Sequence, residues 1–180
     1  MRKPITAGRV REFMKALGGG AKHSARIYLV GGSSAVLLGW RQSTVDIDLK
    51  SIPEDENLVR QLSALKESLE INIELASPDQ FIPELPGWEE RSRFIRQEGK
   101  LTFLHYDFYA QALAKIERSH ETDTRDVQEM ISGNLVEPDR LLEFFLRIEA
   151  DIPKYPALDG ASFREKVELT VRKASNSTRT

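Results

Sequence analysis

Apolar positions fall into two spacings along the chain, and the switches between them outline the elements. Val10, Phe13, Met14 and Leu17 recur at helical spacing, which predicts a short amphipathic helix capped by Thr6; Gly18-Gly19-Gly20 then ends it and leaves a flexible joint. Arg26-Ile27-Tyr28-Leu29-Val30 is a near-continuous apolar run of strand length. Gly31-Gly32 follows as a tight turn, with Ser33-Ser34 as a cap for a helix over Ala35–Gly39. Thr44–Lys50 alternates, with Val45, Ile47 and Leu49 on one face and Asp46, Asp48 and Lys50 on the other. Glu54–Leu69 returns to helical spacing through Leu58, Leu62, Leu65 and Leu69, and Ile71–Leu75 alternates again.

Beyond that point Pro78, Pro83 and Pro86-Gly87 mark a loop. Phe94–Gln97 and Leu101–Tyr106 flank Glu98-Gly99-Lys100 as a hairpin. Helical patterns then cover Phe108–Arg118, Thr124–Ile131, Pro138–Ala150 and Ala161–Ala174. The fold class is therefore α+β, a small mixed β-sheet with helices and a C-terminal helical region. The expected parts are residues 1–25 (N-terminal helix and Gly-rich joint), 26–106 (α/β core), 107–174 (helical region) and 175–180 (polar tail).

Composition narrows the chemistry. The 180 residues contain no cysteine, which removes disulfides, thiolate metal sites and cysteine nucleophiles. No apolar run approaches the roughly 20 residues of a membrane span, and the first residues lack a signal-like apolar stretch, so a cytoplasmic protein without a membrane partner is expected. The formal charge of −2 argues against indiscriminate nucleic-acid binding, but it is unevenly spread: residues 1–50 carry nine Lys/Arg against three acids, and residues 51–90 two against ten.

The strongest candidate chemistry is Gly31-Gly32-Ser33 followed by Asp46-Ile47-Asp48. A strand repeats every two residues, so Asp46 and Asp48 share a face at roughly 6.5–7 Å along the chain and repel unless a cation neutralises them. A pair of magnesium ions would do so and would organise phosphoryl transfer. Glu74 leaves the polar face of its own strand and can supply a third ligand if that strand lies beside Thr44–Lys50. The glycines allow close backbone approach to a phosphate, and Ser33 adds donors. The plain alternative is that acids on two half-buried strands merely face water and that Gly-Gly is only a turn.

Leu29-Val30-Gly31-Gly32-Ser33-Ser34-Ala35 together with Thr44-Val45-Asp46-Ile47-Asp48-Leu49 resembles the signature of the nucleotidyltransferase superfamily, and more narrowly the minimal bacterial branch related to AbiEii-type toxins. Ala110–Asp126, with Ala112-Leu113-Ala114-Lys115, Arg118, Asp123 and Asp126, is similar to that branch's lysine helix and the acidic helix after it. The resemblance implies magnesium-dependent transfer of a nucleoside monophosphate from a nucleoside triphosphate (NTP) to a hydroxyl, with release of pyrophosphate. It implies that Asp46 and Asp48 bind metal, that Gly31, Gly32 and Ser33 contact phosphate, that Lys115 lies near the triphosphate, and that Asp126 is its acidic partner. Family members commonly carry an aspartate on the later strand, where this chain offers Glu74 with Asn72 two residues before it.

The acceptor implied is RNA, with the 3′ end favoured and tRNA one candidate, or another hydroxyl-bearing molecule; a cognate antitoxin is a further possible partner. A catalytically silent binding or regulatory protein of the same fold is the competing expectation. Arg91, Arg93, Arg96 and Lys100, interleaved with Trp88 and Phe94, can hold an RNA end, but Glu89, Glu90 and Glu98 make a solvated hairpin face the simpler reading. His23, His105 and His120 are too scattered for a metal set; His105 reads as a packing residue and Trp40 as core. Ala35 breaks the Gly-x-Ser-x-Gly elbow of a hydrolase, and no Gly-Lys-Ser/Thr exists for a P-loop.

Overall fold

The computed structural model describes residues 3–177. They form two compact units, one drawn from Met1–Ser77 and Ser92–Tyr106, the other from Pro78–Arg91 and Asp107–Thr180. No helix among the described residues is long and apolar enough to cross a membrane.

The first unit is built on a five-stranded sheet. Its strands are β1 (Ala25–Val30), β2 (Asp46–Ile52), β3 (Asn72–Leu75), β4 (Arg93–Glu98) and β5 (Leu101–His105), in the order β3-β2-β1-β5-β4. β1 runs antiparallel to β2 and parallel to β5, while β2 and β3 are parallel. The central position of β1 explains its unbroken apolar run: Ile27, Tyr28 and Leu29 are all fully buried. β2 alternates as its sequence predicts, with Ile47 and Leu49 buried and Asp46 and Asp48 on the other face. Val45 is the exception to the expected apolar face. It precedes the strand, where only Thr44 bridges to Ile5, and is 75% exposed.

Helices α1 (Ala7–Gly20), α2 (Gly32–Leu38) and α3 (Glu56–Ser68) complete this unit. Val10, Phe13, Met14 and Leu17 of α1 join Ile27, Leu29, Ile47 and Phe103 of the sheet in one core cluster. The glycines after Leu17 do not break α1, which continues through Gly20. Their purpose at Gly18 is close packing: a Cβ there would collide with the backbone of Glu98 at the end of β4. α3 starts at Glu56, two residues later than the pattern suggests, because Asp55 caps it by accepting the Asn57 N–H at 2.8 Å. Trp40, expected in the core, is half-buried.

The second unit is helical throughout. It contains α4 (Trp88–Arg91), α5 (Phe108–Arg118), α6 (Glu121–Ser132), α7 (Pro138–Ile148) and α8 (Gly160–Ser177). Two 3-10 segments, Pro78–Gln80 and Glu149–Lys154, join them. The proline-rich stretch read as loop thus includes one 3-10 turn, and the single turn of α4, with Trp88 buried, follows it. Pro153 makes Glu149–Lys154 a 3-10 segment in place of further α-helix. Phe145 and Phe163 pack edge to face at 4.9 Å, joining α7 to α8.

Candidate active site

β1 delivers the chain directly into Gly31, which stands at φ +60°, ψ −123°, a conformation open to glycine and strained for any other residue. That turn starts α2 at Gly32, three residues before the sequence pattern suggests. Ser33 and Ser34 therefore lie inside the helix and do not cap it. Gly32 is required for packing, since a Cβ on it would collide with the Thr44 side chain. Thr44 is in turn fixed by reciprocal backbone bonds to Ile5, at 2.8 and 2.9 Å.

The register of the sheet brings the acids to this turn. Antiparallel pairing sets Asp48 opposite Val30, the last residue of β1, and parallel pairing sets Glu74 opposite Asp48. Asp48 Oδ2 lies 3.5 Å from the point a Cβ on Gly31 would occupy. One row away Asp46 faces Asn72. The Asn72 side-chain amide donates to Asp46 Oδ1 and to Glu74 Oε1, the latter at 3.0 Å. Glu74 does share the polar face with the aspartates, and Asn72 ties it to Asp46.

Behind the turn, Ser34 Oγ donates to the Leu29 carbonyl at 3.3 Å and lies 2.8 Å from His105 Nδ1. Burial, aided by the positive charge of Arg93, pushes His105 down to about 4, so the ring is neutral near pH 7. His105 is the buried packing residue its sequence context suggested, with a hydrogen bond added. Ser33 is fully buried, and its hydroxyl makes no hydrogen bond among the described residues.

Lys115 and Asp126 belong to the second unit, where they are bonded to one another. Lys115 Nζ is 2.7 Å from Asp126 Oδ2 and 3.2 Å from Asp123 Oδ1. Arg118 grips Asp123 with two further bonds, at 2.8 and 2.7 Å. Lys115, Asp123 and Asp126 are all buried, so this is no solvated helix face. For Asp123 burial favours the neutral acid, but Arg118 and Lys115 outweigh it and hold its pKa below the usual value. Arg96, from the basic hairpin, pairs with Glu98 at 2.7 Å, in keeping with a solvated face.

Two roles escaped the sequence. Asn72 reads as an ordinary polar strand residue until the β2–β3 register pairs it with Asp46. Thr44 is identified only by the collision that forbids a side chain on Gly32.

Among the described residues no three His, Asp or Glu side chains gather into a ready-made cation cage. The donors beside the glycine turn nevertheless suit a hard cation. Asp46, Asp48 and Glu74 offer only carboxylate oxygens, on one face, and the missing Cβ of Gly31 leaves space beside Asp48.

No curated protein and no solved structure is matched by this chain. A family model described as "Nucleotidyltransferase of unknown function (DUF6036)" matches residues 8–157, a span that includes the glycine turn, all three acids, Lys115 and Asp126. The chain belongs to this nucleotidyltransferase family.

Proposed function

We propose that the protein transfers a nucleoside monophosphate from an NTP to a hydroxyl acceptor, with an RNA 3′ end as the favoured acceptor, in a magnesium-dependent reaction. The observation that carries this reading is the seating of the Asp48 carboxylate against the Gly31 turn, with Asp46 on the same face.

In the reaction the acceptor oxygen attacks the α-phosphorus. The new O–P bond forms as the bond to the bridging oxygen breaks, pyrophosphate leaves with that electron pair, and the hydroxyl proton passes to solvent. Magnesium, when bound, supplies charge neutralisation for the triphosphate and the leaving group. Asp46, Asp48 and Glu74 would hold it. Gly31, which has no Cβ, lets the backbone approach the phosphates, while Gly32, packed on Thr44, and the fully buried Ser33 support the turn from behind. For Lys115 and Asp126 the observed bond supports a joining role, locking α5 to α6.

Purified protein supplied with magnesium, each α-labelled NTP in turn and a mixed RNA pool should label RNA. No labelling with any nucleotide would count against the reading. The resemblance to AbiEii-type proteins supports a further step, that the chain is the toxin of a toxin–antitoxin pair in the cytoplasm. One observation favours the silent alternative: the Asn72 amide occupies oxygens of both Asp46 and Glu74 that a metal would need. Nucleotide binding without turnover would establish that alternative.

A further inference from the structure

The second unit carries a basic–aromatic cluster that plays no part in the chemistry above. Phe144 of α7 is surrounded by three guanidinium groups, with Arg91, Arg147 and Arg140 centred 4.2, 5.2 and 5.6 Å from its ring centroid. Arg140 also lies 5.4 Å from the ring of Tyr109, which packs against Phe144 at 4.8 Å. The four guanidinium–ring distances are within cation–π range.

The three cations are not equivalent. Arg91 is neutralised by Asp107, to which it donates twice, at 3.1 and 2.7 Å, and it also holds the Pro86 carbonyl. Arg140 and Arg147 are exposed, and neither forms an ion pair with an acid among the described residues. Glu143 sits three residues from Arg140 and four from Arg147 on the same helix, positions from which an ion pair is usual, yet it forms none with either. Two guanidinium groups with no ion-pair partner among the described residues thus gather at one aromatic ring, and an anion with spaced charges can meet both.

We propose that this face of the second unit binds the phosphodiester backbone of single-stranded RNA. The planar guanidinium fork matches phosphate oxygens. Phe144 is 4% exposed and Tyr109 7%, so their ring faces are closed to base stacking and the contact is with phosphate, without regard to sequence. The choice of RNA over an acidic peptide rests on the proposed transfer to an RNA hydroxyl.

The test measures binding alone, with the whole chain, a fluorescent oligouridylate, and neither NTP nor magnesium. Affinity should fall as KCl rises, and the log–log slope should shrink by about 0.7 for each arginine removed in Arg140→Gln and Arg147→Gln. Both residues are exposed, so the variants should fold, and Arg140→Lys/Arg147→Lys should keep the slope. Glu143→Gln should tighten binding, which a purely structural role for the arginines would not produce. An unchanged slope in the double Gln variant overturns the proposal, and so does preferential binding of polyglutamate. RNA binding in a protein that fails to transfer nucleotide leaves this proposal standing; transfer that persists without RNA binding at this face overturns it alone.

Discussion

Asp48 Oδ2 stands 3.5 Å from the position a Cβ on Gly31 would take, so the acid and the turn occupy one small space at the end of β1. Gly31 itself stands at φ +60°. Gly31→Ala should therefore destabilise the protein by about 1–3 kcal/mol through backbone strain. Urea denaturation of the variant checks this; a stability equal to the parent would mean the turn relaxes freely.

Glu74 is the third acid of the proposed site and a hydrogen-bond acceptor for Asn72. Glu74→Gln keeps the acceptor and removes the charge. Stability should change little, while magnesium affinity measured by calorimetry in the presence of nucleotide should fall. Unaltered affinity would remove Glu74 from the ligand set.

Lys115 bridges two buried carboxylates, one of which, Asp123, is also paired by Arg118. Lys115→Met leaves them without their shared cation and should cost about 3–5 kcal/mol of stability. The depressed pKa of Asp123 adds a pH signature. Its stabilisation is fully present above the unfolded value of 3.8 and is lost as pH falls through the lower folded value. In Lys115→Met that acid loss should begin at higher pH, which unfolding midpoints in a series of acidic buffers will show.

His105 acts in a different pH window. Its folded pKa of about 4 lies below the ordinary 6.5, so protonation favours the unfolded chain. The contribution is intact above pH 6.5 and declines as pH drops towards 4, by roughly 3 kcal/mol in all. His105→Gln should flatten the stability profile across this interval. An identical decline in the variant would assign it to other groups.

Much of this architecture was legible because period and burial agree. The continuous run Ile27–Leu29 became the central strand, and the alternation of Asp46 to Leu49 set two acids on one face. Residues whose roles depend on partners distant in sequence were not legible. Asn72 meets Asp46 only through the β2–β3 register, and Gly18 meets Glu98 only because α1 packs on the hairpin. Lys115 could be matched by resemblance, but its two buried carboxylate partners follow from the packing of α5 on α6. The cluster around Phe144 draws Arg91 from 53 positions away, beyond any local pattern.

Pyrophosphate release is the most direct measurement of the proposed chemistry. The parent chain, given NTP, magnesium and RNA, should release pyrophosphate in step with nucleotide incorporated into the acceptor. Asp46→Asn and Asp48→Asn, confirmed as folded by their melting transitions, should release none above background. Full release by either variant would contradict the assignment of these two aspartates to the reaction.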